Sequence, residues 1–88
     1  MINKYRKKPV EIEAIQWDGT LERYKEIQAF TDNKVILFEE TQSLLVPTLE
    51  GDHIGGIGDW IIKGIVGEFY PCKDLVFQKS YELVGDGR

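Results

Sequence analysis

The chain has 88 residues, which is one domain's worth, and a domain this small buries only about two-thirds of the surface that its extended chain exposes. Fifteen acidic against eleven basic side chains give a formal net charge of -4, which argues against tight binding of a polyanion over a broad face. One cysteine excludes an internal disulfide and fits a reducing cytoplasm. One cysteine and one histidine fall short of the roughly four ligands of a structural zinc site, and no run approaches the roughly eighteen apolar residues of a membrane span.

Residues 1–8 form a basic arm with Lys4, Arg6, Lys7, Lys8 and one aromatic, Tyr5. It reads as a solubilising tail that leads into a strand; the alternative is an anion-contacting arm, with Arg6 and Lys8 neutralising charge while Tyr5 stacks. Pro9-Val10-Glu11 follows where a secretory signal would place an apolar core, so no such signal is expected.

Residues 10–17 read as a strand. Val10, Ile12 and Ala14 alternate with Glu11 and Glu13, a half-buried period of two. The phase then slips at Ile15, Gln16 and Trp17: either both faces are buried there or a bulge inverts the strand. Asp18-Gly19 ends it as a turn.

Residues 21–30 read as a helix. Thr20 is a good N-cap, and Glu22 sits in the first turn, where the helix dipole favours an anion. Leu21, Tyr24, Ile27 and Phe30 recur every three residues as an apolar stripe to lie on a sheet. Residues 35–38 are a short apolar run suited to an interior strand. Leu44-Leu45-Val46 is a further strand, which Pro47 limits to an end or an edge. Thr48-Leu49-Glu50 resumes it, and Gly51-Asp52 reads as a turn. Gly55 and Gly56 belong to a glycine-rich loop spanning residues 51–58; its backbone N–H groups are candidates for cradling a phosphate, although the Lys-Ser/Thr of a P-loop is missing.

Residues 58–72 hold the densest strand signal in the chain. Trp60, Ile61, Ile62, Ile65, Val66, Phe69 and Tyr70 suit a pleated, half-buried surface. A turn near Lys63-Gly64, or a bulge at Gly64 or Gly67, folds the run into a hairpin. Pro71 ends the second strand or places it at a sheet edge. Asp74 is placed to cap a short helical turn over residues 75–77, residues 81–84 read as a closing strand, and residues 85–88 as a loose end. The expectation is an α+β domain, a small, mostly antiparallel, curled sheet of five to seven short strands with one helix on one face.

Chemistry-bearing sets are sparse. A Cys-His-Asp set can be drawn from Cys72, His53 and Asp52, but nothing in the spacing brings nucleophile and base within reach. The carboxylates Glu11 and Glu13 share a strand face, and Asp59 and Glu68 flank the hairpin, where they are candidates to face each other. Neither pair has a reason for a shifted pKa without burial. No metal site, cofactor or membrane contact is indicated.

Four segments resemble a family of small, uncharacterised tailed-phage and prophage proteins. That family's pattern opens with a basic arm and Lys-Pro-Val-x-Ile-Glu-Ala-x-Gln-Trp. It runs through a Thr-Leu-Glu-Gly turn to Gly-Asp-Trp-Ile-Ile-x-Gly-Val-x-Gly-Glu-Phe-Tyr-Pro-Cys-Lys and a Phe-x-x-x-Tyr-Glu ending. The matching residues are 8–17, 48–51, 58–73 and 77–82, about half the chain and in the same order. One departure is Asp74-Leu75, where the family has Pro-Asp. The resemblance implies phage origin and action in a bacterial cytoplasm, and it brings no catalytic residue. The reading that follows is a non-enzymatic accessory protein that binds a host or phage protein, with a homodimer as a further expectation. A small-ligand, nucleotide-type binder is the alternative, and a hydrolase on Cys72 and His53 a third. The contact candidates are Trp17, Trp60 and Tyr70 as aromatics, Gly55 and Gly56 as a loop, and Arg6 and Lys8 as charges.

Overall fold

The computed structural model describes residues 1–84. In chain order the elements are β1 (Glu13–Gln16), α1 (Leu21–Phe30), β2 (Ile36–Phe38), β3 (Ser43–Thr48), β4 (Gly51–Gly55), β5 (Trp60–Lys63), β6 (Phe69–Cys72) and α2 (Asp74–Ser80). The class is α+β and every strand pairing is antiparallel. The strands divide into two three-stranded sheets, β1-β5-β6 and β2-β3-β4, where one curled sheet was expected. The expectation of a loose end at residues 85–88 lies outside the described residues.

The central hairpin forms as its residues dictate. β5 pairs with β6 from Trp60↔Cys72 to Lys63↔Phe69. Its turn is closed by the Gly64 N–H to the Glu68 carbonyl at 2.7 Å and the Gly67 N–H to the Gly64 carbonyl at 3.0 Å. Gly67 takes φ +84° there, which costs glycine nothing. Asp59 and Glu68 therefore sit at opposite ends of the hairpin and do not face each other; Asp59 is bridged by Lys73 instead, at 3.1 Å.

On the other side of β5, β1 runs from Glu13↔Lys63 to Gln16↔Trp60 with no bulge. The phase slip at Ile15 and Trp17 is a strand covered on both faces. Ile15 packs on the core, while Trp17 just beyond the strand is 1% exposed and donates its Nε1–H to the Gln42 carbonyl at 2.8 Å. Residues 10–12 overhang the sheet instead of extending the strand, because β5 ends at Lys63 and offers them no partner.

α1 starts on Thr20, whose hydroxyl accepts the Arg23 N–H at 3.1 Å. It ends where Asp32 and Asn33 turn left-handed and the Asn33 N–H reaches back to the Gln28 carbonyl. Ile27 is buried, and Tyr24 and Phe30 are partly so. Leu21 is 63% exposed, contrary to the expected stripe. At 3.6 residues per turn a strict spacing of three drifts by about 60° per step, so one end of a four-member row leaves the core.

The second sheet departs most from expectation. β2 lies at an edge, not in the interior, and Val35 just before it carries the burial. β3 is the middle strand and continues through Pro47 to Thr48; β2 pairs with it only as far as Leu45, so Pro47 is not asked for an N–H on that side. The turn falls at Leu49-Glu50, fastened by the Thr48 hydroxyl to the Gly51 carbonyl at 2.6 Å. Gly51 and Asp52 thus open β4, and most of the expected glycine loop is strand. Asp74 does not cap a turn; it is the first residue of α2, after an N-cap at Lys73 that makes no side-chain bond. No strand forms at residues 81–84.

β6 lies across β3 and β4, so the sheets close on one core. Trp17, Ile27, Val35, Leu44, Val46, Ile61 and Phe69 make it up, and burial of each aliphatic member contributes roughly 1.5–3 kcal/mol. Ile62 is equally buried but belongs to the opposite face of β5.

Candidate functional site

Alternation along β1, β5 and β6 turns Ala14, Trp60, Ile62 and Tyr70 away from the core. α2 packs on part of that outer face. The Phe77 ring stacks on Trp60, with centroids 4.0 Å apart and planes 7° from parallel. Tyr81 continues the row at 5.0 Å from Phe77, and Lys7 Nζ lies 5.8 Å from the Tyr81 ring centre. Asp74 Oδ1 fastens the helix by accepting the Trp60 Nε1–H at 2.8 Å, with Gln78 Nε2 at 3.1 Å and Gln16 Nε2 at 3.5 Å. The Trp60 bond first, and then the Gln78 bond, hold the Asp74 carboxyl below its ordinary value.

A groove of about 770 Å³ is left open between this row and the overhanging arm. Pro9, Val10 and Ile12 form one wall, Phe77, Tyr81 and Val84 the other, and Ala14 and Trp60 the floor. Glu11 and Glu82 stand along it. A second cavity of about 590 Å³ shares Pro9, Val10, Ile12 and Tyr81, and adds Lys7, Lys8, Glu68 and Tyr70. Burial, and then the Tyr81 hydroxyl, push the Tyr70 phenol above its ordinary value, so it stays a neutral donor.

Of the expected contact residues, Trp60 lines the groove, and Tyr70 and Lys8 line the second cavity. Arg6 is exposed on the arm that carries Lys8. Trp17 is not among them: it is core. Gly55 is buried with Pro71 Cβ 3.5 Å from where a Cβ would stand. The Gly56 N–H is already given to Asp59 Oδ2 at 2.8 Å, so it is not free to cradle a phosphate. Sequence reading missed Phe77 and Val10 as site residues. Phe77 meets Tyr81 where the chain leaves α2, Tyr81 being its extended C-cap.

His53, Cys72 and Asp59 line a shallow cavity of about 290 Å³. Burial, and then the Asp59 charge, push the Cys72 thiol up, the reverse of what a nucleophilic thiolate requires. Asp59 is committed to Gly56 and Lys73, and Asp52 alternates to the other side of β4 from His53. No helix among the described residues is long and apolar enough to cross a membrane.

Comparison of the chain with protein-family models, with curated proteins and with solved structures finds no match.

Proposed function

We propose that the chain is a phage-encoded, non-enzymatic accessory protein that binds another protein in the cytoplasm of an infected bacterium. The observation that carries this reading is the groove, an open apolar channel with a stacked aromatic row in one wall. Tyrosine and tryptophan are the side chains that anchor protein contacts. Segments 8–17, 58–73 and 77–82, which carry the phage-family resemblance, supply most of its lining. Glu11 and Glu82 stand along the groove, and the adjoining cavity carries Lys7, Lys8 and Glu68. The partner is therefore an extended segment with apolar side chains for the channel and a basic group to meet the two glutamates.

The test is comparative affinity capture from infected cells, with wild type, Val10→Lys in the groove and Leu21→Lys on the far helix. A discrete partner retained by wild type and Leu21→Lys and lost by Val10→Lys is the expected result. Equal capture by all three would overturn the groove as the contact surface. A nucleotide-type ligand is the second reading, favoured by the cavity where Lys7 and Lys8 meet Tyr70 and Tyr81. A thermal-shift series with linear and cyclic nucleotides separates the two, since a ligand of the folded state raises the melting temperature by mass action.

A further inference from the structure

The second cavity, of about 590 Å³, has the size of a small-molecule pocket. Its walls divide by chemistry. Pro9, Val10, Ile12 and Ile65 are apolar, while Lys7, Lys8, Ser80, Tyr70 and Tyr81 carry hydrogen-bond donors. Glu68 is the one carboxylate among the described residues that line it. We infer that this cavity takes a phosphomonoester on an aromatic body, with the phosphate at the lysines. The inference rests on the nucleotide-type reading and names the group by which such a ligand is held.

Three observations select that chemistry. Among the described residues neither Lys7 nor Lys8 joins an ion pair. Lys7 Nζ lies instead 5.8 Å from the Tyr81 ring centre, within reach of a cation–π contact that keeps the ammonium at the cavity wall. Glu68, in turn, is committed to its own hairpin. Its Oε1 accepts the Val66 N–H at 3.1 Å, and its carboxylate lies so close over Gly64 that a Cβ there would collide with it. Finally, the Tyr70 and Tyr81 hydroxyls are neighbours, since Tyr81 is second only to burial in raising the Tyr70 phenol. One hydroxyl donates to the other, which leaves one hydrogen for a ligand.

Two ammonium groups and the hydroxyls outnumber what a carboxylate's two oxygens accept, whereas a phosphomonoester brings three terminal oxygens and close to two negative charges. The apolar wall and the tyrosine rings suit an aromatic body. A cyclic phosphodiester has a single charge and a nucleoside none, so both are poorer ligands. The lysines are exposed, so salt screens their attraction for the phosphate and affinity falls as salt rises. Glu68 opposes the phosphate. Glu68→Gln keeps an oxygen for the Val66 N–H and removes the charge, so it raises affinity.

Titration calorimetry on the whole chain tests this with phenyl phosphate, adenosine monophosphate, cyclic adenosine monophosphate and adenosine, in about 50 mM and about 300 mM sodium chloride. Phenyl phosphate and adenosine monophosphate should bind, each several-fold more weakly at the higher salt, and the other two at least about tenfold more weakly than adenosine monophosphate. Lys7→Ala and Lys8→Ala should each weaken phenyl phosphate about tenfold at an unchanged melting temperature. Glu68→Gln should tighten it, and Lys34→Ala, at an exposed site outside the cavity, should leave it unchanged. Binding of phenyl phosphate without either nucleotide upholds the phosphate site and removes the nucleotide-type reading. Adenosine or the cyclic nucleotide binding as tightly as adenosine monophosphate overturns the inference and leaves that reading standing. No binding by any of the four overturns both. Loss of both cavity lysines without effect, or an equal loss from Lys34→Ala, overturns the inference alone.

Discussion

Asp74 and Tyr70 sit on the same outer face and respond to pH in opposite senses. Asp74 binds its proton less readily folded than unfolded. Its stabilising contribution is complete above the ordinary carboxyl value and is lost as pH falls through the lowered one, below about pH 4. Asp18, lowered chiefly by the Thr20 hydroxyl, adds in the same sense. Asp74→Asn should flatten the acid limb of a melting-temperature profile. Tyr70 holds its proton more tightly when folded. Its contribution is complete below about pH 10 and lost as pH rises towards the raised value, so Tyr70→Phe should flatten the alkaline limb. Cys72, also raised, leaves a residual slope from about pH 9 in that variant. In the core, Ile61 is fully buried between the sheets, and Ile61→Ala should cost about 2–5 kcal/mol in urea unfolding.

At the scale of elements, α2 is the part held least by its own sequence. Seven residues are too few for a helix to stand alone, and its N-cap makes no side-chain bond. The Trp60–Phe77 stack and the Asp74 bonds dock it. Phe77→Ala should raise amide exchange across α2 to that of an unprotected segment and leave α1 protected. If α1 and α2 lose protection together, docking is not local. The difference between these helices explains what the sequence could reveal. α1 carries its own signals: a threonine cap, an acidic first turn and an apolar stripe. α2 and the row it completes depend on Trp60, fourteen positions from Asp74 along the chain. β4 was hidden for the same reason. Gly51, Asp52 and Gly55 read as loop chemistry, and only the ladder to β3 makes them a strand. Leu21 shows the converse, a residue whose spacing fits a stripe that the helix's own rotation carries away from the core.

For the molecule as a whole, two small sheets share a core between them and leave two outer faces to be accounted for. The first is half-covered by α2 and opens as the groove; the second is bare and apolar. The two faces differ in charge: Glu11 and Glu82 stand along the groove, whereas Asp52 is the one charged strand residue on the second face. Trp17 and the glycine segment, which sequence alone placed among the contacts, serve the interior and the link between the sheets. The most direct measurement is site-specific photo-crosslinking in infected bacteria, with the photoreactive residue at Val10 in one strain, Ile54 in a second and Leu21 in a third. A discrete heterologous adduct from Val10 alone, with Ile54 and Leu21 giving none, is the expected outcome. No adduct from Val10, or the same heterologous adduct from Leu21, would contradict the groove as the working surface.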